Sequence, residues 1–478
     1  MRLGLKTQGS WQRLHTQARQ HWQRAAAQRL RLAVTGLSGS GKTVFLSSLI
    51  HHLLHSDQPG ALPFFTPARQ GRIQAVRVCP DPPAGLALFP WRENLQGLTH
   101  QPPLWPRSTS SLSGVTLEIR YRPRQALKRL LGESAILYLE LIDYPGEWLL
   151  DLPLLEMDYL SWCQFTAQRF AQPALQALTQ DWQAALSEVD WLAPAHPETL
   201  QRFAHRYQQL LQQLQKAPHS FSLLQPGRFL LPREQKETKD LTVFPIWPLP
   251  LMPQARKKIP AGSYLETLQT AYRHYAEQQI RPFYQTTLAK VDRQIILVDL
   301  LKTLNQGQHC FQDMQTALSE LLRSFQYGRN GILRRLFSPK IDKVLLAATK
   351  ADHVTTNQQA NLQVFLNLML QESSREIRFN GVTTQSLSLA SVRATRPALA
   401  EVDGQQLSCL TGRRLSDGQE IAIFPGEIPT HLPQAQDWHS GRFRFIDFAP
   451  EAIQPHQSDT GDHLRLDQAL EALLGDRL

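Results

Sequence analysis

The chain has 478 residues, a formal net charge of +10 and 42% hydrophobic side chains. That length exceeds one ordinary domain, so several units, or one core with large insertions, are expected. The basic balance favours anionic partners such as a nucleotide, an acidic membrane surface or an acidic protein, and indicates no nucleic acid specifically.

Cys79, Cys163, Cys310 and Cys409 lie far apart, which excludes a CxxC zinc or redox motif and speaks against a disulfide framework. The apolar run at residues 295–301 is broken by Asp299 and is too short to span a bilayer. No apolar stretch of signal-peptide type opens the chain. The expectation is a cytoplasmic protein, with peripheral contact to the inner membrane as a variant.

Residues 1–29 read as a basic helix. Trp11, Leu14, Ala18, Trp22 and Ala25 recur at helical spacing, with Arg13, Arg19, Arg24 and Arg29 on the other faces. Such a helix suits an acidic membrane surface, or packs on its own domain. Residues 30–155 read as the first part of a core. They offer a strand at 30–35, a helix with Val44, Phe45, Leu49, Ile50 and Leu53 as its apolar side, and a Pro/Gly-rich stretch at 56–110. A short strand at 73–78 interrupts that stretch. Val115, Leu117, Ile119 and Tyr121 alternate with polar residues, predicting a half-buried strand. The nearly all-apolar segment 135–142 predicts a strand buried on both faces.

Residues 156–290 change character, being rich in Gln and Leu at helical period, and predict a large helical insertion that ends in a helix at 264–290. The core resumes over 291–400, with strands at 294–299, 344–348 and 387–390 and helices near 312–326 and 356–373. Residues 401–440 are turn-rich, with a strand near 421–424, and predict a small β-rich insertion. A strand at 443–448 and an amphipathic helix through Leu466, Ala469, Leu470, Leu473 and Leu474 complete the core over 441–478. Strands alternating with helices predict an α/β fold: a parallel-sheet core with helices on both faces, plus the two insertions.

Three motifs carry chemistry. Gly36-Leu37-Ser38-Gly39-Ser40-Gly41-Lys42-Thr43 matches the phosphate-loop pattern in full. Its glycines let backbone N–H groups turn toward phosphate oxygens, and the following helix adds a partial positive charge. Lys42 can reach the β- and γ-phosphates, and Thr43 can ligate Mg2+; Val44 completes the expected nucleotide-contacting set. Asp143-Tyr144-Pro145-Gly146 follows the buried strand. Asp143 can hold the metal, and the Gly146 N–H can register the γ-phosphate. Thr109 is the candidate switch threonine, completing the metal shell only when the γ-phosphate is present.

Thr349-Lys350-Ala351-Asp352 matches the base-reading motif of guanine-nucleotide proteins. A carboxylate can accept from guanine N1–H and its 2-amino group, and adenine would leave it unpaired. Ser391 and Val392 follow the next strand and suit a loop whose backbone N–H reaches the base oxygen.

The motifs occur in the order of the Ras-like GTPase fold. Closer still, the phosphate loop followed by Val44-Phe45, Asp143-Tyr144-Pro145-Gly146-Glu147-Trp148-Leu149, Thr349-Lys350-Ala351-Asp352 and Ser391-Val392-Arg393-Ala394-Thr395 resemble the YcjX-like family of bacterial P-loop GTPases. The resemblance implies a GTP- and GDP-binding, Mg2+-dependent switch with a large helical insertion that engages a protein partner, linked to stress responses. Glu147 departs from the Ras pattern, which carries a water-orienting glutamine there. A carboxylate at this place can position water, repel the γ-phosphate and slow turnover, or serve only as a surface charge. An ATPase or small-molecule kinase, and a scaffold with a structural nucleotide, remain open on the same phosphate loop.

Overall fold

The computed structural model describes residues 28–58, 60–107, 111–124, 133–216, 220–230, 245–246, 259–324, 341–379, 381–402, 405–439, 441–454 and 461–478. The expected N-terminal helix up to residue 27 and the candidate Thr109 lie outside them. Arg29, expected on that helix, belongs instead to strand β1 (Gln28–Gly36) and pairs with Glu140 at 2.8 Å.

The core is a mixed, mostly parallel sheet in the order β2-β4-β5-β1-β6-β7-β8, with short β3 (Ala87–Leu88) beside β4. Its members are β2 (Ile73–Val78), β4 (Ser113–Tyr121), β5 (Ala135–Asp143), β1, β6 (Arg293–Val298), β7 (Lys343–Ala348) and β8 (Thr383–Ser388). β5, β1, β6, β7 and β8 are parallel; β4 is antiparallel to β5, and β2 is antiparallel to β4.

Strand period 2 sorts the apolar residues onto two faces. Leu32, Val34, Ile295, Leu297, Leu345 and Ala347 pack with α1 (Lys42–Leu54) and with the C-terminal helix Leu466–Leu474. Ala33, Ile296, Val298, Val344, Leu346 and Ala348 face the other way. There they join helices Gln308–Ser324 and Gln359–Met369 and the helices of the 156–290 region in one continuous cluster. Burial on both faces explains why these strands read as unbroken apolar runs.

Several expectations are corrected. β4 is buried along its length except at Arg120, and Glu118 within it pairs with Arg77 at 2.6 Å. The helix expected at 264–290 is an α-helix at Tyr264–Tyr275, a π-turn at Ala276–Ile280, a short α-helix at Arg281–Thr286 and a 3-10 turn at Leu288–Lys290. Pro282 lies at the start of the second α-segment and supplies no N–H to the turn before it. The β-rich segment is a three-stranded antiparallel sheet that begins earlier than read, with β9 (Thr395–Val402), β10 (Gln405–Arg413) and β11 (Glu420–Ile423). Residues 443–448 are irregular and touch that sheet through one bridge, Arg414 to Phe448. No helix among the described residues is long and apolar enough to cross a membrane.

The 3-10 segment Gly146–Leu155, directly after the Asp143 motif, is bolted to the helical region. Asp151 accepts from the Gly227 N–H at 2.8 and 3.0 Å and from the Tyr275 hydroxyl at 2.5 Å. The Arg228 guanidinium lies over the Trp148 ring, 3.6 Å from its centroid, and Phe283 meets the same ring edge-on. Burial pushes the Asp151 carboxyl up to about 6, against the pull of its donors. Its neutral form is therefore favoured in the folded state. That contribution is complete below the unfolded value near 3.8 and is lost as pH rises through 6. From pH 4 to 7, wild type should lose about 2–3 kcal/mol of stability relative to Asp151→Asn, measured by paired denaturant melts. A difference that does not change with pH would contradict this assignment.

Candidate functional site

Register places the motifs on one edge of the sheet. Val34 pairs with Asp143, Gly36 with Leu297, Val298 with Ala348, and Ala348 with Ser388. The parallel strands thus finish nearly level, and the turns that follow them converge.

The phosphate-loop segment turns sharply between β1 and α1. Gly39 and Gly41 adopt φ of 83° and 89°, where a side chain would be strained. The Ser40 N–H donates to the Leu37 carbonyl at 3.1 Å, and the Phe45 N–H to Gly41 at 2.9 Å, which starts the helix. Lys42 Nζ donates to the Gly36 carbonyl at 2.6 Å, so the loop is closed on itself by its own lysine. Thr43 is buried at the first turn of α1, and Asp143 is buried at the end of β5.

Gly146 packs against this loop. A Cβ there would lie 2.6 Å from the Gly36 carbonyl oxygen. Glu147 is 5% exposed yet lines the cleft described below, and Gly227 packs directly against its main chain.

At the other end, the turn after β7 is fixed by two hydrogen bonds and one left-handed residue. The Thr349 N–H donates to Val298, the Ala351 N–H donates to Leu389, and Lys350 takes a left-handed φ of 58°. Asp352 Oδ2 accepts from the backbone N–H groups of Ala394 at 2.7 Å and Thr395 at 3.3 Å. Lys350 Nζ lies 2.8 Å from Asp299 and 2.7 Å from Asp447. Burial works against its charge, but the two carboxylates more than offset this and hold the ammonium above its ordinary range. Ser48, on the phosphate-loop helix, donates to the Ser391 carbonyl at 2.5 Å, and Val44 packs near Val392. These last contacts tie the two ends of the site together through α1.

One cleft of about 560 Å³ joins them. Ser38, Gly39, Ser40, Gly41, Lys42, Thr43 and Val44 line one end, and Thr349, Lys350, Asp352, Ser391 and Val392 the other. Gly36, which opens the phosphate loop, and Asp143 and Gly146, which follow the neighbouring strand, are not part of the lining. Several lining residues were not read from the sequence: Trp105, Pro106, Gln215, Leu230, His353, Leu415, Asp447 and Phe448. Trp105 Nε1 donates to the Phe448 carbonyl at 2.9 Å, and the Phe448 ring meets His353 edge-on. His353 adjoins the base-reading motif; the others lie in segments whose pattern carried no sign of the site.

The model of the YcjX-like family, DUF463, matches residues 30–478. The chain belongs to the YcjX-like family. A relative from Shewanella oneidensis, "Ras-like GTPase YcjX", is 38% identical over 468 residues, covering 95% of this chain and 96% of that protein. A second YcjX-like relative, from Escherichia coli K12 and of the same name, is 39% identical over 461 residues, covering 95% and 97%. Both alignments run over nearly the whole of each chain.

The Gly146 contact gives a direct test of this geometry. Gly146→Ala forces a methyl against the Gly36 carbonyl, and overpacking of this kind costs about 1–3 kcal/mol. The variant should melt at lower temperature in a thermal scan. An unchanged melting temperature would show that the two turns are not in contact.

Proposed function

We propose that this chain binds GTP and hydrolyses it slowly to GDP and phosphate, acting as a molecular switch. The observation that carries this reading is the single cleft with the phosphate loop at one end and Asp352 at the other. The names of its relatives, Ras-like GTPases, agree with it.

Backbone N–H groups of the loop and the N-terminus of α1 receive the phosphates, with Lys42 redirected from the Gly36 carbonyl to the β- and γ-oxygens. The Asp352 carboxylate is oriented by the Ala394 and Thr395 amides, and its remaining lone pairs accept from guanine N1–H and the 2-amino group. Adenine offers no such donors and would strand the buried carboxylate.

Thr43 and Asp143 supply the hard oxygen donors that Mg2+ prefers, beside the loop that holds the β- and γ-phosphates. The ion, when bound, neutralises charge that develops on the transferred phosphoryl group. Glu147 positions the attacking water at the place where Ras-type enzymes use glutamine, and its negative charge beside the γ-phosphate keeps turnover slow. The bolt from Asp151 to Gly227 and Tyr275 carries movement of the Gly146 turn into the helical region, which presents it to a protein partner. A stress-related input is what the family resemblance adds.

Calorimetric titration with GDP, GTP, ADP and ATP should show guanine preference, with binding lost in Lys42→Ala. Asp352→Asn should weaken guanine nucleotides by at least about tenfold and shift preference to xanthine nucleotides. Preference for adenine nucleotides, or indifference to Asp352→Asn, would favour an ATPase or kinase. A bound nucleotide that never turns over would favour a scaffold.

A further inference from the structure

Lysine in a base-reading motif contributes by lying along the purine, yet its side chain carries about 2 kcal/mol of rotamer freedom that must be removed. Here that freedom is removed by two acids from distant parts of the chain. Asp299 closes β6 and also caps the next helix, accepting from the Lys302 N–H at 3.0 Å. Asp447 comes from the segment after the three-stranded sheet. It is 60% exposed at its side chain and lines the cleft. Its backbone is stitched to that sheet: the Leu415 N–H donates to the Asp447 carbonyl at 2.9 Å, and the Ala449 N–H to Arg413 at 2.8 Å.

We propose that Asp447 is a positioning residue for base recognition: with Asp299 it fixes the Lys350 ammonium from two sides, so the β-rich segment completes the purine end of the cleft. This rests on the GTP-binding reading above. With Asp447 removed, Lys350 keeps one ion pair and can pivot about it. With both, the left-handed backbone at Lys350 and the doubly held Nζ fix the stem at its two ends.

The sign of the effect separates positioning from simple electrostatics. Asp447 adds negative charge to a cleft proposed to receive a polyphosphate. On charge alone, its neutralisation would tighten nucleotide binding. Positioning predicts the reverse.

The experiment compares wild type, Asp447→Asn and Asp447→Glu by GDP titration, single-turnover hydrolysis of pre-bound GTP, and thermal melting. The exposed side chain makes loss of folding in Asp447→Asn unexpected, and the melt checks it. Asp447→Asn should bind GDP about five- to tenfold more weakly, with hydrolysis of bound GTP within about twofold of wild type. Asp447→Glu should recover most of the affinity. Equal or tighter GDP binding by Asp447→Asn would overturn the proposal, as would a parallel fall in hydrolysis or in melting temperature. Failure of wild type itself to bind GDP would instead overturn the GTP-binding reading.

Discussion

Parallel pairing of β5, β1, β6, β7 and β8 is the constraint on which the site depends. Strands that run the same way and end nearly level must send their following turns to the same edge. Segments separated by more than three hundred residues in sequence, the phosphate loop and the Asp352 turn, thereby become two ends of one cleft. Burial of both sheet faces stabilises this arrangement. Each interior aliphatic residue contributes about 1.5–3 kcal/mol on leaving water, and the two apolar clusters clamp the sheet between them. Ser48 then adds a direct strut from the phosphate-loop helix to the base loop.

Much of the core was legible because its periodicity and its glycines have local causes. The nearly all-apolar strand at 135–142 read correctly as buried, and its one charge, Glu140, is held by Arg29 and Arg31. Gly39 and Gly41 stand where the backbone takes a positive φ, so that part of the motif is a conformational requirement as much as a chemical one. What was illegible depends on contacts made at a distance. Glu118 looks solvent-facing yet is buried beside its ion pair with Arg77, and Asp447 looks like an ordinary acid until Lys350 reaches it. Residues 443–448 were read as a strand, but only Phe448 finds a β partner; Asp447 lines the cleft, and Phe443 and Phe445 pack on the helical core. Periodicity reports what a segment can do alone; tertiary partners decide whether it does so.

The helical region and the three-stranded sheet meet the core at opposite ends of the cleft. The helical region reaches the phosphate end, where Gly227 packs on the Glu147 main chain and Asp151 joins the Gly146 turn to Tyr275. The three-stranded sheet reaches the base end through Asp447 and Phe448. On the proposed reading, the first adjoins the γ-phosphate and the second the purine. The bolt at Asp151 is a buried, hydrogen-bonded carboxyl rather than an apolar contact, and such polar links tend to specify one arrangement among alternatives.

The central claim is that one ligand spans the distance from Lys42 to Asp352. A crystal structure of the protein with GDP measures this directly. The account predicts diphosphate against the amides of residues 39–43 and the purine edge against the Asp352 carboxylate, beside Lys350. Diphosphate bound at the loop with the base turned away from Asp352, or nucleotide bound outside this cleft, would contradict it.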